Sequence, residues 1–329
     1  MKQENKLCTI ITTVHHFKNT SVSDFLKKHT KVIVVGDNKT NHKSFSDHKS
    51  IEYIHPHENN FKKLSSLLPY NHYSRKNLGY LYAIKNRFHN IVDCDDDTFL
   101  TGDIEEWKSY KHRVVISPSA PNILKKFTDK NMWLRGYPLE YVKNSKKIGL
   151  RDCSTTDINN IGIIQSLTTG EPDVDAVSRL TAMQTDINFT PNRCYIFNKD
   201  VYTQGNTQST IWINPKLFHL LYIPSTVSFR FCDILKMYIA QRCMWEYGLQ
   251  FATASPFFQH NRNKHNLMND FVEEVPMYVN VKKLIDTILP KVKLRGEVDD
   301  ILYIYEELHK HDMVALKEIK LLDTFLQEL

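Results

Sequence analysis

The stretch SRKNLGYLYAIKNRFHNIVDCDDD, residues 74–97, decides the fold class, because a helical pattern in it runs directly into a buried strand. Leu81, Ile84 and Phe88 recur at i, i+3 and i+7, which is the spacing of one helix face. The apolar pair of Ile91 and Val92 then predicts a buried strand. A helix that leads into such a strand is typical of an α/β protein.

The residues before this stretch predict a parallel sheet. LCTIITTV (7–14) and KVIVVGD (31–37) are patterned as buried strands, and SDFLKKH (23–29) as a short helix. Strand, helix and strand within about 30 residues form a βαβ unit, which implies parallel strands. The aspartates that end at Asp97 therefore lie at the carboxyl end of a parallel strand, where open α/β sheets bind their ligands.

The rest of the chain gives fewer signals. RVVISPS (113–119) predicts another strand, and CDILKMYIAQRCMWEYG (232–248) predicts a helix that ends at Gly248. Between them, about 120–232 is irregular in pattern and is expected to form long structured loops. Two sets of apolar residues at helical spacing predict helices near the C-terminus: Val298, Ile301, Leu302, Tyr305 and Leu308, then Leu316, Ile319, Leu322 and Leu326.

The composition is that of an ordinary globular protein, with 329 residues, 41% of them hydrophobic, and a formal net charge of +6. This charge suits a phosphate-bearing ligand or an anionic surface, and it does not indicate nucleic-acid binding. The six cysteines include no C-x-x-C pair, which favours a reducing compartment over a zinc ribbon or a disulfide framework. The first 17 residues lack an apolar signal region, and no run of 18 apolar residues occurs, so we expect a cytoplasmic protein.

The aspartate cluster at 93–97 has four candidate explanations. An EF-hand loop that starts at Asp93 would need Gly at 98 and Glu at 104, where the chain has Thr98 and Ile104, so a calcium loop is excluded. A dehalogenase-type phosphatase motif fits poorly, because it would normally end the first strand of its fold. Two explanations stay open: a solvated acidic turn, and a carboxylate grip on a divalent ion that binds a nucleotide-sugar diphosphate.

Five stretches of the chain resemble known families. LGYLYAIKNRFHNIVDCDDDTF (78–99) resembles the plant reversibly glycosylated polypeptides, also called UDP-arabinopyranose mutases, and still more the related STELLO-type glycosyltransferases. WLRGYP (133–138) is similar to an element of the mutases. STVSFRFCDILKMYIAQRCMWEYG (225–248), EPDVDA (171–176) and HNRNKHNLMNDFVEEVP (260–276) are similar to the STELLO-type family. Residues 177–224 are not mutase-like, which weakens the mutase activity in particular.

The resemblance implies a GT-A-like fold, that is, a Rossmann-type mixed sheet flanked by helices. A glycosyltransferase domain would cover 1–280, with a nucleotide-binding half at about 1–119 and an acceptor-facing half at about 120–280. Residues 281–329 would form a small C-terminal helical appendage.

The resemblance also assigns roles to residues. Asp95, Asp96 and Asp97 correspond to the family's D-D-D motif, and the expected metal ligands are Asp95, Asp97 and His260. Arg135 corresponds to the arginine that the mutases glycosylate on themselves, although it could simply contact a diphosphate or sugar. Asp233 corresponds to an acidic residue that opens a helix; it would be the base that deprotonates an acceptor, or only a helix N-cap.

Position along the chain adds further candidates for donor binding. Strand ends supply Thr12, Thr13 and Asp37, where a uracil and ribose would lie in a GT-A fold, although ordinary turn chemistry explains them equally well. The N-terminus of the helix before the aspartates supplies possible phosphate contacts: Arg75, Lys76 and Asn77. Two acidic residues could meet donor or acceptor hydroxyls unless they belong to an exposed turn: Asp173 and Asp175.

These inferences predict a glycosyltransferase that uses Mn²⁺ or Mg²⁺ and moves a sugar from a nucleotide-diphosphate donor, UDP-linked by expectation, to a glycan or glycolipid hydroxyl. The alternatives are a UDP-sugar mutase that glycosylates itself and a non-catalytic scaffold that binds nucleotide sugars. Peripheral association with a membrane is compatible with the charge. The sequence does not specify the sugar, the acceptor or the oligomeric state.

Overall fold

A computed structural model describes residues 6–28, 30–181, 187–262 and 266–329. His29 at the end of the predicted helix 23–29, residues 1–5 and residues 263–265 of the stretch 260–276 lie outside this part of the chain. The described residues form a mixed sheet whose strands are β1 (Leu7–Thr12), β2 (Lys31–Val35), β3 (Ile51–Ile54), β4 (Asn90–Cys94), β5 (Thr98–Leu100), β6 (Lys111–Ser117), β7 (Gly149–Asp152), β8 (Ile161–Gly170), β9 (Arg193–Phe197), β10 (Ser209–Trp212) and β11 (Gln250–His260). The α-helices are α1 (Val22–Lys27), α2 (Lys43–Ser46), α3 (Lys62–Leu67), α4 (Asn77–Lys85), α5 (Thr155–Asn159), α6 (Ala176–Thr181), α7 (Cys232–Met244), α8 (Leu267–Lys283), α9 (Asp300–Lys310) and α10 (Leu316–Gln327).

The sheet is built in the order β3-β2-β1-β4-β10-β8-β11-β9-β6-β7, and β5 pairs with β11. Its first four strands are parallel, as the βαβ pattern predicted. The next strand, β10, runs antiparallel to both β4 and β8, so the complete sheet is mixed. The predicted α/β fold with a mixed sheet flanked by helices is confirmed.

Both faces of the parallel strands are buried, which explains their almost continuous apolar runs. In β2, Ile33 and Val35 belong to the core on one face, whereas Val32 and Val34 belong to the core on the other. Helices α4 and α7 cover the first face, and α1 and α2 cover the second. The side chains of one strand therefore join two separate cores.

Helix α4 packs unusually close to the sheet. A Cβ atom at Gly79 would lie 2.7 Å from the Cγ2 atoms of both Ile10 and Val35. Only glycine leaves room for this contact. Because α4 runs almost directly into β4, the close packing also fixes where that strand ends and the aspartates begin.

The middle of the chain differs from the prediction. The region 120–232, expected to be irregular, contributes β7, β8, β9 and β10, and β8 lies in the centre of the sheet. Its first eight residues are all buried although they include Gln165 and Ser166. The Gln165 amide donates to Ser209 Oγ (3.0 Å) and accepts from the Asn206 backbone (2.9 Å), so these polar groups are satisfied inside the sheet.

The two helices predicted near the C-terminus are present as α9 and α10. Tyr222 connects them to the sheet domain, because its ring packs against Tyr305 and Phe325 and its hydroxyl donates to buried Glu318. Helix α8 continues beyond Lys283 into a π-helix (Leu284–Ile288), so a domain boundary at 280/281 would divide one helical run. Across the described ranges, every helix is too short or too polar to cross a membrane.

Candidate active site

A cleft with a volume of about 490 Å³ opens where the parallel strands end. We call this cavity the cleft. β1 leads to Thr13, β2 leads to Asp37, and β4 leads to Asp95, Asp96 and Asp97. The other lining residues are Thr12, Val14, His15, Val35, Lys39, Asn71, His72, Tyr73, Arg75, Arg135, Asp173, Gln208, Phe229, Arg230, His260 and Arg262.

Asp93 lies beneath the cleft and has a structural environment. Its carboxylate is fully buried between Lys76 Nζ (2.7 Å) and Lys236 Nζ (2.9 Å), and it accepts from the Tyr80 hydroxyl (2.7 Å). Burial would raise the pKa of Asp93, but the two ammonium groups outweigh it and hold the pKa below its usual value. Asp93 therefore supports the strand end and does not face a ligand.

The next two aspartates are oriented by hydroxyl groups. Tyr73 donates to Asp95, and Thr13 donates to Asp96. Burial, opposed by Lys76 at 3.7 Å, raises the pKa of Asp95 to about 7, and burial also raises the pKa of Asp96. Carboxylates crowded in this way are stabilised in their charged form by a nearby cation.

Asp97 faces His260, a residue distant in the chain that was also predicted as a metal ligand. Asp97 Oδ2 lies 3.3 Å from His260 Nε2, and His260 Nδ1 lies 2.7 Å from the carbonyl of Glu171. Because a carbonyl only accepts, Nδ1 must donate and Nε2 points at the carboxylate. A neutral ring would then direct a lone pair at Asp97, an arrangement that a proton or a cation relieves. The pairing of β11 with β5 brings these two residues together, because His260 at the end of β11 pairs with Thr98, the residue after Asp97.

The donor set suits a divalent cation in its chemistry. Asp95 and Asp97 offer the hard oxygen ligands that Mg²⁺ and Mn²⁺ prefer, and the imidazole of His260 is oriented by a backbone carbonyl, as metal-binding histidines usually are. However, within the described ranges no three histidine, cysteine, aspartate or glutamate side chains are already gathered as a metal site. To bind a divalent ion, the side chains of Asp95, Asp97 and His260 would therefore have to move closer together around it.

Arg135 joins two other predicted site residues. Its guanidinium donates to both carboxylate oxygens of Asp173 (2.9 Å each) and to both of Asp233 (2.9 and 2.7 Å). It also donates to the carbonyl of Arg230 (2.5 Å). Although burial would lower the pKa of Arg135, the two carboxylates raise it well above its usual value. We call these three residues the arginine clamp.

Within the arginine clamp, Arg135 and Asp173 line the cleft. Asp233 pairs with Arg135 but does not line the cleft. Asp233 is not the helix N-cap, a position that Phe231 occupies. Burial would raise the pKa of Asp173, but the pairing with Arg135 outweighs it and lowers the pKa far below its usual range. A guanidinium that donates in every direction is poorly suited to attack a sugar, which weakens the interpretation of Arg135 as a self-glycosylated residue.

Other predicted residues are held inside the protein. Asn77 exchanges hydrogen bonds with the backbone of Ile223 and does not line the cleft. Arg75 lines the cleft, but its guanidinium donates to Pro56 and Ser65 (2.9–3.2 Å). Lys76 is fully buried and donates to the carbonyl of Cys94 (2.8 Å). These contacts give all three residues structural roles. Because Asn77 also lies outside the cleft, we propose no donor contact for it.

Asp37 and Asp175 also have defined partners. Asp37 accepts from the backbone of Asn38 (2.7 Å) and of His72 (3.3 Å), so it holds the 71–73 loop at the cleft. Asp175 lies outside the cleft and accepts from Trp133 Nε1 (2.6 Å) and the Ser178 backbone (2.7 Å). Burial raises the pKa of Asp175 to about 7. The exposed turn considered for Asp175 is therefore wrong, because this residue is fully buried.

The sequence did not single out several residues of the cleft. Tyr73 orients Asp95, and Phe229, Arg230 and Arg262 line the cleft beside the arginine clamp. Phe229 and Arg230 lie in the stretch 225–248 that carried the family resemblance, just before α7, and Arg262 follows His260 by two positions. Closeness to predicted site residues was the one available signal for them.

Comparison with known proteins supports the resemblance. No family model matches the chain. The chain is 30% identical over 248 residues to "Probable glycosyltransferase STELLO1" of Arabidopsis thaliana and 28% identical over 248 residues to "Probable glycosyltransferase STELLO2" of the same plant. Each similarity covers 68% of this chain and 31% of the relative, so the chain matches about a third of the length of these proteins. The predicted similarity to the STELLO-type family is confirmed as a distant one.

Proposed function

We propose that the protein is a metal-dependent glycosyltransferase that moves a sugar from a nucleotide-diphosphate donor, UDP-linked, to a hydroxyl of a glycan or glycolipid. The observation that carries this proposal is the placement of three consecutive aspartates in a cleft at the carboxyl ends of parallel strands, opposite His260. The distant similarity to two probable glycosyltransferases agrees with it.

In the proposed reaction, the bond between the anomeric carbon and the diphosphate breaks, a bond to the acceptor oxygen forms, and the acceptor hydroxyl loses its proton. A divalent cation held by Asp95, Asp97 and His260 would neutralise the charge that develops on the departing diphosphate. The hydroxyls of Tyr73 and Thr13 keep the first two carboxylates of the motif directed at the cleft.

The protein's own charges prepare the site for this chemistry. Lys76 and Lys236 neutralise Asp93 under the motif, so that carboxylate does not add to the repulsion above it. Arg135 and Asp173 meet the cleft as one hydrogen-bonded unit, which would orient polar groups of a substrate. We propose that Asp233 positions Arg135 and does not itself contact the acceptor.

The test is to incubate the protein and Mn²⁺ with a panel of labelled nucleotide sugars, with and without saccharide acceptors. Acceptor-dependent release of UDP supports the glycosyltransferase, and chelation with EDTA should abolish it. A new UDP-sugar isomer or a labelled protein would instead support the mutase. Donor binding without any conversion would support the scaffold and contradict a catalytic role.

A further inference from the structure

Phe229 is a large apolar side chain that lines the cleft and is left open to solvent. It is 50% exposed, in contrast to Phe231 two residues later, which is buried. Single exposed apolar residues are common on protein surfaces, but an aromatic ring that lines a cleft is a recurrent way to bind ligands with an apolar face. Its position in the cleft therefore needs an explanation.

The ring is held in place beside the aspartate motif. Phe229 packs edge-to-face with Tyr73 (5.8 Å between ring centroids) and with His72 (6.0 Å). Tyr73 in turn donates to Asp95. One aromatic ring thus separates Phe229 from the carboxylates that would grip the donor, which places a sugar stacked on Phe229 next to the reacting centre.

The arginines around Phe229 carry no uncompensated charge. Arg230 donates to Glu274 Oε1 (2.6 Å), and Arg262 donates to Asp270 Oδ2 (2.7 Å). Arg135 is paired with two carboxylates in the arginine clamp. This wall of the cleft offers many hydrogen-bonding groups but little net attraction for an anion.

Lys39 differs from these arginines. It lines the same cleft and is exposed, and no carboxylate partner is found for it among the described residues. Lys39 therefore offers a diphosphate a cation without a carboxylate partner, whereas the wall of paired arginines suits a ligand rich in neutral hydroxyls.

We propose that Phe229 and the paired arginines form an acceptor subsite for an uncharged saccharide. The apolar C–H face of the sugar stacks on Phe229, and its hydroxyls bond to Asp173, Arg230 and Arg262. This inference rests on the proposed function, and it specifies the acceptor as a neutral sugar unit and not a sugar phosphate or a uronic acid.

The first experiment replaces the ring with a reporter. In Phe229→Trp, the indole fluorescence is followed during titration with methyl glycosides of glucose, galactose, mannose and xylose, and with the anionic probes glucuronic acid and glucose 6-phosphate. We expect a saturable change with at least one neutral glycoside and a weaker response to the anionic probes. The wild type and Tyr303→Trp, which adds an exposed indole outside the cleft, give the background.

A second variant and a second ligand separate this proposal from the proposed function. Phe229→Ala should bind the responding glycoside about tenfold more weakly, as expected for a lost stacking contact, while UDP binding with Mn²⁺ is unchanged. If UDP binds and no neutral glycoside responds, or if the anionic probes bind more tightly, the acceptor subsite is refuted but the proposed function is not. If UDP fails to bind the wild type, the proposed function fails.

Discussion

Replacing Arg135 with methionine is expected to destabilise the protein strongly. The substitution removes the partner of two carboxylates whose side chains are only 12% and 9% exposed, those of Asp173 and Asp233. Breaking one buried ion pair typically costs about 3–5 kcal/mol, because it leaves an unpaired charge. Each carboxylate keeps one other donor, Asn206 Nδ2 at 2.7 Å or the Ile234 backbone at 2.9 Å. We therefore expect a loss of about 4 kcal/mol in the free energy of unfolding.

The measurement is equilibrium unfolding in urea with linear extrapolation. Arg151→Met is the matched control: its guanidinium also makes a two-point pair, with Asp157, but its side chain is 43% exposed. We expect that control to lose less than about 1 kcal/mol. The triple variant Arg135→Met/Asp173→Asn/Asp233→Asn removes the stranded charges and should recover about 2 kcal/mol of the loss.

Two results would refute this reasoning. The arginine clamp is not a buried ionic unit if Arg135→Met stays within about 1 kcal/mol of the wild type. The cost is not electrostatic if the triple variant is no more stable than Arg135→Met. Intact mass after incubation with UDP-sugars adds an independent check, since an arginine committed to five hydrogen bonds should gain no sugar.

Three further changes follow from the same structure, each measured by unfolding in urea. Lys236→Met leaves fully buried Asp93 with one cation and should cost about 3 kcal/mol; a loss below about 1 kcal/mol would contradict the buried network. Burial lowers the pKa of His219 from 6.5 to about 4, so its contribution to stability is complete above pH 6.5 and is lost as the pH falls towards 4, by up to about 3 kcal/mol. His219→Gln should flatten this decline between pH 6.5 and 4, and an unchanged slope would count against it. Gly79→Ala should cost about 1–3 kcal/mol by forcing α4 away from β1 and β2, whereas a gain in stability would show that the helix moves freely.

The sequence predicted the parallel half of the sheet because its signals there are local. In β1, β2 and β4, runs of apolar residues end in turn-forming or acidic residues, and short helical patterns lie between them. The same rule missed β8, since Gln165 and Ser166 interrupt its apolar run. The Gln165 amide is satisfied by Ser209 and Asn206, and the Ser166 hydroxyl accepts from the backbone of Phe257. These partners lie more than 40 positions away in the chain and cannot be identified from the sequence.

The residues of the candidate site could also be predicted only in part. The aspartate motif was found from its position after a strand, and His260 and Arg135 from the family resemblance. Which polar residues face the cleft and which are held inside could not be predicted, because this depends on partners distant in sequence. Asn77 donates to the carbonyl of Ile223, 146 positions away. Tyr73, which precedes α4, donates to Asp95, 22 positions further along the chain.

The most direct test of the metal-grip account is calorimetric titration of UDP in the presence and absence of Mn²⁺. The account predicts that UDP binds the wild type tightly only with Mn²⁺, and that Asp97→Asn weakens this metal-dependent binding by more than about tenfold. Asp103→Asn, a change at an exposed aspartate outside the cleft, should leave it unaltered. Equal, metal-dependent UDP binding by the wild type and Asp97→Asn would contradict the account.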